Sequence, residues 1–149
     1  MIRRATPADA DAIAAVQARA WRHAFADIVE PDRMPVASEQ GRRLAEHIEG
    51  GGEVQVFDQD GRIAGFAMFV GDQLHALYVD PPAQGAGVGT VLLGAAVDAL
   101  RAAGHTEAFL WTFEANGLAR AFYERHGWQH VRGHDDHLGA PEVRYRLAL

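Results

Sequence analysis

Residues 84–90, Gln-Gly-Ala-Gly-Val-Gly-Thr, constrain the fold of this 149-residue chain more than any other stretch. They follow an apolar run, 73–79, closed by Asp80-Pro81-Pro82. They precede a helical pattern with Val88, Val91, Leu92, Ala95 and Ala99 along one face. A glycine-punctuated turn from strand to helix leaves backbone N–H groups unpaired at the positive end of the helix dipole, which makes it an anion site. Glycines at 85, 87 and 89 let a phosphate approach the backbone closely, and Thr90 adds a hydroxyl. The dinucleotide pattern Gly-x-Gly-x-x-Gly fails at Thr90, and the Walker pattern fails for want of a lysine. A tight turn that holds nothing is the plain alternative, though it does not need three alternating glycines.

Composition narrows the chemistry further. All 14 basic residues are arginine, so no lysine is available for a Schiff base or for a nucleotide phosphate. The absence of cysteine removes thiolate nucleophiles, disulfides and cysteine-based metal sites. Ser38 lies in Ala-Ser-Glu, not in a hydrolase elbow. A net charge of −6 argues against a nucleic-acid partner. No apolar run is long enough for a membrane span or a signal peptide, and the expectation is a cytoplasmic protein of one domain, 1–149.

The elements follow from turn chemistry and periodicity. A short strand at 2–5 leads into Thr6-Pro7-Ala8-Asp9, a helix start, and Ile13, Val16, Ala20 and Trp21 carry one face of a helix to about Phe25. A loop at 27–35 precedes a second helix over 38–48, which Gly41 weakens. Strands at 53–58 and 62–70 join at Asp60-Gly61, a hairpin signal, and a third follows at 73–79. After the glycine loop come a helix ended by Gly104, a strand at 108–113, a helix at 116–126, and strands at 128–132 and 142–147. In the last strand Val143, Tyr145 and Leu147 alternate with Arg144 and Arg146, which read as its solvated face. His126, His130, His134 and His137 with Asp135 and Asp136 read as a solvated polar loop, not a metal site, because Gly127 interrupts the helical spacing. The order predicts an α/β (α+β) domain, a mixed sheet with helices on its faces.

At Gln84-x-x-Gly87-x-Gly89 behind Leu77-Tyr78-Val79, the chain resembles the GNAT superfamily of acyl-CoA-dependent N-acetyltransferases. A second block, 116–128, Asn-Gly-Leu-Ala-Arg-Ala-Phe-Tyr-Glu-Arg-His-Gly-Trp, is similar to the family's helix that runs from Asn to Tyr. Asn116 and Tyr123 lie nearly two turns apart on one face of it. The resemblance implies a mixed central sheet of about seven strands, about four helices, and splayed strands 4 and 5.

It also implies acetyl-CoA as cosubstrate, with no metal. The pyrophosphate would rest on the amides of Gln84, Gly85, Ala86, Gly87, Val88, Gly89 and Thr90, near Asn116 and Tyr123. The pantetheine would bond the backbone of Leu77 and Val79 as an added strand does. Tyr123 matches the general acid that returns a proton to the departing thiol, and a core aromatic is its plain reading. Asn116 can equally cap its helix. Gln73 stands where the family often carries a basic glutamate. His75, on the same strand face unless a bulge intervenes, is the candidate base beside a water chain, and a half-buried structural histidine is the bland reading. Trp21, Phe25, Trp111 and Glu114 are candidate acceptor contacts, although core packing explains Trp21 equally well. The acceptor is expected to be a primary amine of a small molecule or peptide, attacked directly in a ternary complex. The alternatives are a protein or longer-chain N-acyltransferase and a non-catalytic acyl-CoA-binding module. Variable loops at 27–35 and 133–141 would read the acceptor, and the exposed part of the last strands offers a homodimer contact.

Overall fold

A computed structural model describes the backbone of residues 1–149 and the side chains of all but residues 132–134. The elements run β1 (Ile2–Arg4), α1 (Ala10–Phe25), α2 (Ala37–Glu49), β2 (Glu53–Gln59), β3 (Arg62–Val70), β4 (Gln73–Val79), α3 (Val88–Ala102), β5 (Glu107–Phe113), α4 (Gly117–Arg125), β6 (Gln129–His137) and β7 (Ala140–Ala148). The strands form one seven-stranded sheet in the order β1-β2-β3-β4-β5-β7-β6. All neighbours are antiparallel except β4 and β5, which are parallel.

Local chemistry explains most element ends. A single 3-10 turn, Pro7–Asp9, precedes α1, and the Asp9 carboxylate accepts a hydrogen bond from the Thr6 N–H at 2.7 Å. Asp60 and Gly61, with φ of 52° and 88°, make the tight β2–β3 turn. Gly41 belongs inside α2 because the helices touch there: an added Cβ would lie 2.5 Å from Asp11 Oδ1 on α1.

The two faces of the sheet bury separate clusters. Ile13, Val16 and Leu44 from α1 and α2 pack on Val54, Val56 and Phe66. On the opposite face Leu92, Leu93 and Leu100 of α3 pack with Ala67, Leu74 and Leu110, and Tyr123 of α4 joins them. Burial of each large side chain contributes about 1.5–3 kcal/mol. Gly65 sets how closely α3 sits, since a Cβ there would be 2.9 Å from both Leu92 Cδ1 and the Tyr78 carbonyl oxygen. Among the described residues no helix is long and apolar enough to cross a membrane.

Three expectations need correction. Residues 133–141 are not a loop: β6 and β7 meet in a turn at Leu138 and Gly139, with φ of 52° and 82°. β6 is an edge strand of the sheet, where polar residues are tolerated on the solvated side, and that polarity disguised it. The His134 side chain lies outside the described residues. Arg144 is not simply solvated: its guanidinium sits 4.0 Å over the Phe109 ring, while Arg146 pairs with Glu107 through a 2.7 Å hydrogen bond. The strand face shared by Gln73 and His75 is interrupted by a bulge. Met68 faces Ala76 and Phe69 faces Leu74, which leaves His75 as the extra residue.

Two stability predictions follow from this packing. Gly65→Ala should lower unfolding free energy in urea by about 2 kcal/mol, because a backbone carbonyl cannot yield to the new methyl. The Arg3 guanidinium, aided by the Thr6 N–H, holds the Asp9 carboxyl down to about 2 against the usual carboxylate range, with burial opposing. A depressed folded pKa stabilises above the unfolded value and is lost as pH falls towards 2. Asp9→Asn should therefore cost on the order of 1 kcal/mol at pH 7 and progressively less as pH falls towards 2, read from denaturation midpoints across that range.

Candidate active site

The site begins where two strands separate. β4 and β5 pair only at Gln73 with Phe109 and Leu74 with Leu110, and beyond that they diverge. Their divergence follows the bulge at His75, after which Leu77 and Val79 point to the α3 side and Ala76 and Tyr78 to the α1 side. A cavity opens on each side of the gap.

On the α3 side a cavity of about 410 Å³ runs from the gap to the glycine loop. Gln84, Gly85, Gly87, Val88, Gly89 and Thr90 line it, and Ala86 does not. Gly85 and Gly87 need to be glycine for their backbone, with φ of 83° and 85°. Gly87 is the N-cap of α3, so the N–H groups of the first turn face the cavity end with no helical partner. The Gln84 carboxamide ties the loop to the strand by donating to the Val79 carbonyl at 3.1 Å. Behind the loop Asp80, 1% exposed, accepts two 2.9 Å hydrogen bonds from Arg19 of α1, and its N–H donates to Ala64. Arg19 in particular, with Arg62, keeps its carboxyl below the usual range.

On the α1 side lies a larger cavity of about 770 Å³. Trp21, Phe25 and Trp111 line it, whereas Glu114 is exposed at the end of β5 and lines neither cavity. Trp21 and Phe25 stack edge-on at 4.8 Å, each also meeting Phe113, so packing and cavity lining are joint roles. The Trp21 indole N–H is buried beside Tyr78. His75 opens into this cavity; partial desolvation, then His47 and His137, lower its pKa, which keeps the ring neutral at pH 7. Gln73 lines the cavity too and has no basic group to offer.

The two cavities meet at Phe25, Leu77, Tyr78, Asn116, Ala119 and Tyr123, which line both. Asn116 caps α4, its side-chain oxygen accepting from the Ala119 N–H at 3.2 Å. Tyr123 is wedged against Trp128 and Tyr145, with ring centroids at 6.0 and 6.4 Å. Burial, and then the neighbouring Tyr78, push its phenol well above the ordinary tyrosine range. The phenol is therefore protonated at any working pH, though further from a thiol's pKa than free tyrosine is.

Among the lining residues to which the sequence reading gave no role are Tyr78, Phe113 and Glu142, while His137 lies in the 133–141 segment expected to read the acceptor. Tyr78 is likewise pushed up by burial. Glu142, half-buried at the start of β7, makes no hydrogen bond or ion pair among the described residues. Burial raises its pKa, opposed by His137 and assisted by Asp135. That Glu142 shares a strand face with Arg144 was visible in the sequence, but not that this face meets the end of α1.

Comparison with known proteins agrees with this geometry. The acetyltransferase (GNAT) family pattern matches residues 16–128. A probable N-acetyltransferase of Mycobacterium tuberculosis is 29% identical, over 98% of this chain and 92% of its own length. A mycothiol acetyltransferase of Clavibacter sepedonicus is 32% identical over 96% of this chain, which spans 44% of that longer protein. Among solved structures, a GCN5-related N-acetyltransferase from Rhodopseudomonas palustris superposes with a TM-score of 0.86 at 22% identity, covering 100% of this chain and 95% of that one. An acetyltransferase of Salmonella typhimurium, solved with its cofactor acetyl-CoA, gives 0.79 at 21% identity over 99% and 92% of the two chains. With the parallel gap, the glycine loop and the matched family pattern in agreement, the chain belongs to the GNAT family of acetyltransferases and is an enzyme of that class.

Proposed function

We propose that residues 1–149 form a single N-acetyltransferase domain that moves the acetyl group of acetyl-CoA to a primary amine of a small molecule or peptide. The observation that carries this reading is the pair of cavities meeting at the β4–β5 gap, one ending on the glycine loop and the other lined by aromatic and titratable side chains. The α3 N-terminus supplies unpaired N–H groups suited to a pyrophosphate, at Gly85 and at Gly87 to Thr90. Pantetheine lies along β4 beyond the last β5 pairing, where the backbone of Leu77 and Val79 has no neighbour strand on that side. A β4 N–H then faces the thioester oxygen and stabilises the oxyanion formed on attack.

The amine attacks the thioester directly. No cysteine is present to carry the acetyl group as an enzyme thioester. Tyr123, at the junction of the cavities, holds the proton that the departing sulfur takes. Its raised pKa keeps that proton available, and the thiolate receives it only as the C–S bond breaks. His75, neutral in the acceptor cavity, is placed to take or relay a proton from the amine.

Acetyl-CoA and CoA should each raise the melting temperature by several degrees at saturating concentration, whereas ATP and NAD should not. Tyr123→Phe should keep the acetyl-CoA shift and lower kcat for CoA release with an amine by about 100-fold. Stabilisation without CoA release for any amine in a broad panel would leave a binding module, and no stabilisation by either CoA species would overturn the reading.

A further inference from the structure

Glu142 is the carboxylate that the acceptor cavity partly withdraws from water. The cavity holds two other carboxylates, Asp32 and Glu39, and two arginines, Arg33 and Arg43; all four are exposed on the α1–α2 side, and neither arginine pairs with Glu142 among the described residues. The titratable groups that face Glu142 are Tyr78 from β4 and His137 and Asp135 from β6. Asp135 stands opposite Glu142 across the β6–β7 pairing, which places like charge beside like charge. A carboxylate held this way is costly without a positive partner.

The surroundings indicate which cation suits it. One carboxylate and one imidazole are too few donors for a metal ion, and no group of three ligands is found among the described residues. An alkylammonium needs only one carboxylate and gains from aromatic faces. Phe113 is the cross-strand partner of Glu142, Trp21 lies 5.8 Å from the Phe113 ring, and His137 stacks on Phe113 at 6.0 Å. Tyr78, which feels the Glu142 charge, reaches the junction with the cofactor cavity and neighbours Tyr123.

Resting on the acetyltransferase reading above, we infer that Glu142 receives the protonated amine of an alkylamine acceptor against this aromatic wall and takes the proton that must leave before attack. One N–H bond of the ammonium breaks and an O–H bond forms on the Glu142 carboxylate. The freed lone pair forms the C–N bond to the thioester carbonyl, and the C–S bond breaks. Tyr123 gives its proton to the sulfur, and the second proton lost by nitrogen, relayed by His75, restores the Tyr123 phenol. Amide, free CoA thiol and protonated Glu142 are the products, and solvent takes the Glu142 proton. The acceptor class is thus a primary alkylamine, charged at neutral pH with a pKa of about 10, and not an arylamine, which arrives neutral.

The test measures CoA release by wild type, Glu142→Gln and Glu142→Asp at pH 7.5, with a small alkylamine and with hydroxylamine or an arylamine as neutral nucleophile. Glu142→Gln should lower kcat/KM for the alkylamine about 100-fold. The neutral nucleophile should stay within about threefold, the range of an ordinary surface change, and the acetyl-CoA melting shift should be kept. Equal losses on both nucleophiles, or no loss on the alkylamine, would overturn the assignment while leaving the acetyltransferase reading intact. If the wild type uses the alkylamine alone, or if Glu142→Gln does not fold, Glu142→Asp decides. Retention of the alkylamine rate within about tenfold of wild type supports the assignment, and a loss of about 100-fold or more overturns it. Wild type that binds acetyl-CoA and releases CoA with neither class overturns both readings.

Discussion

The parting of β4 from β5 is the constraint on which the rest depends. Two parallel strands in mid-sheet would ordinarily pair along their length and bury both faces. Here pairing stops after Leu74 and Leu110, and the bulge at His75 turns the remainder of β4 away. The unpaired backbone beyond it has to find another partner, and in the proposed reading an extended, amide-bearing ligand supplies one. The same bulge places Tyr78 on the acceptor side while Leu77 and Val79 keep to the cofactor side.

Such a gap needs support from outside the sheet. Asp80 provides it at the end of β4, joined to α1 through Arg19, to β3 through Ala64, and directly preceding the proline turn that leads to the glycine loop. The α1 helix thereby anchors the cofactor end with Arg19 and walls the acceptor cavity with Trp21 and Phe25. On the far side, α4 caps itself with Asn116 and wedges Tyr123 into the junction. The proposed transfer would take place between helices tied to opposite faces, where water is partly excluded and charge interactions are stronger.

The fold was legible where chemistry is local. Asp60-Gly61, Thr6-Pro7, the glycine loop and the 116–128 block each name their own backbone geometry, and the elements around them stand within a few residues of expectation. The His75 bulge was not legible, because it depends on how β4 registers against Met68 and Phe69 of another strand. The length of β6 was hidden by its polar residues, which an edge strand tolerates. The cofactor side of the site was visible as contiguous sequence. The larger cavity joins the end of α1 to the start of β7, more than a hundred residues away, so Phe113 and Glu142 carried no local signature.

The most direct test of the account is amide hydrogen exchange with and without acetyl-CoA, since it reads the backbone groups the gap leaves unpaired. Protection concentrated in Leu77–Val79 and in the amides of residues 85–90, with β6 and α2 unchanged, is the predicted result. Protection that spares β4 and the glycine loop, with acetyl-CoA bound, would contradict the claim that the opened sheet is the cofactor site.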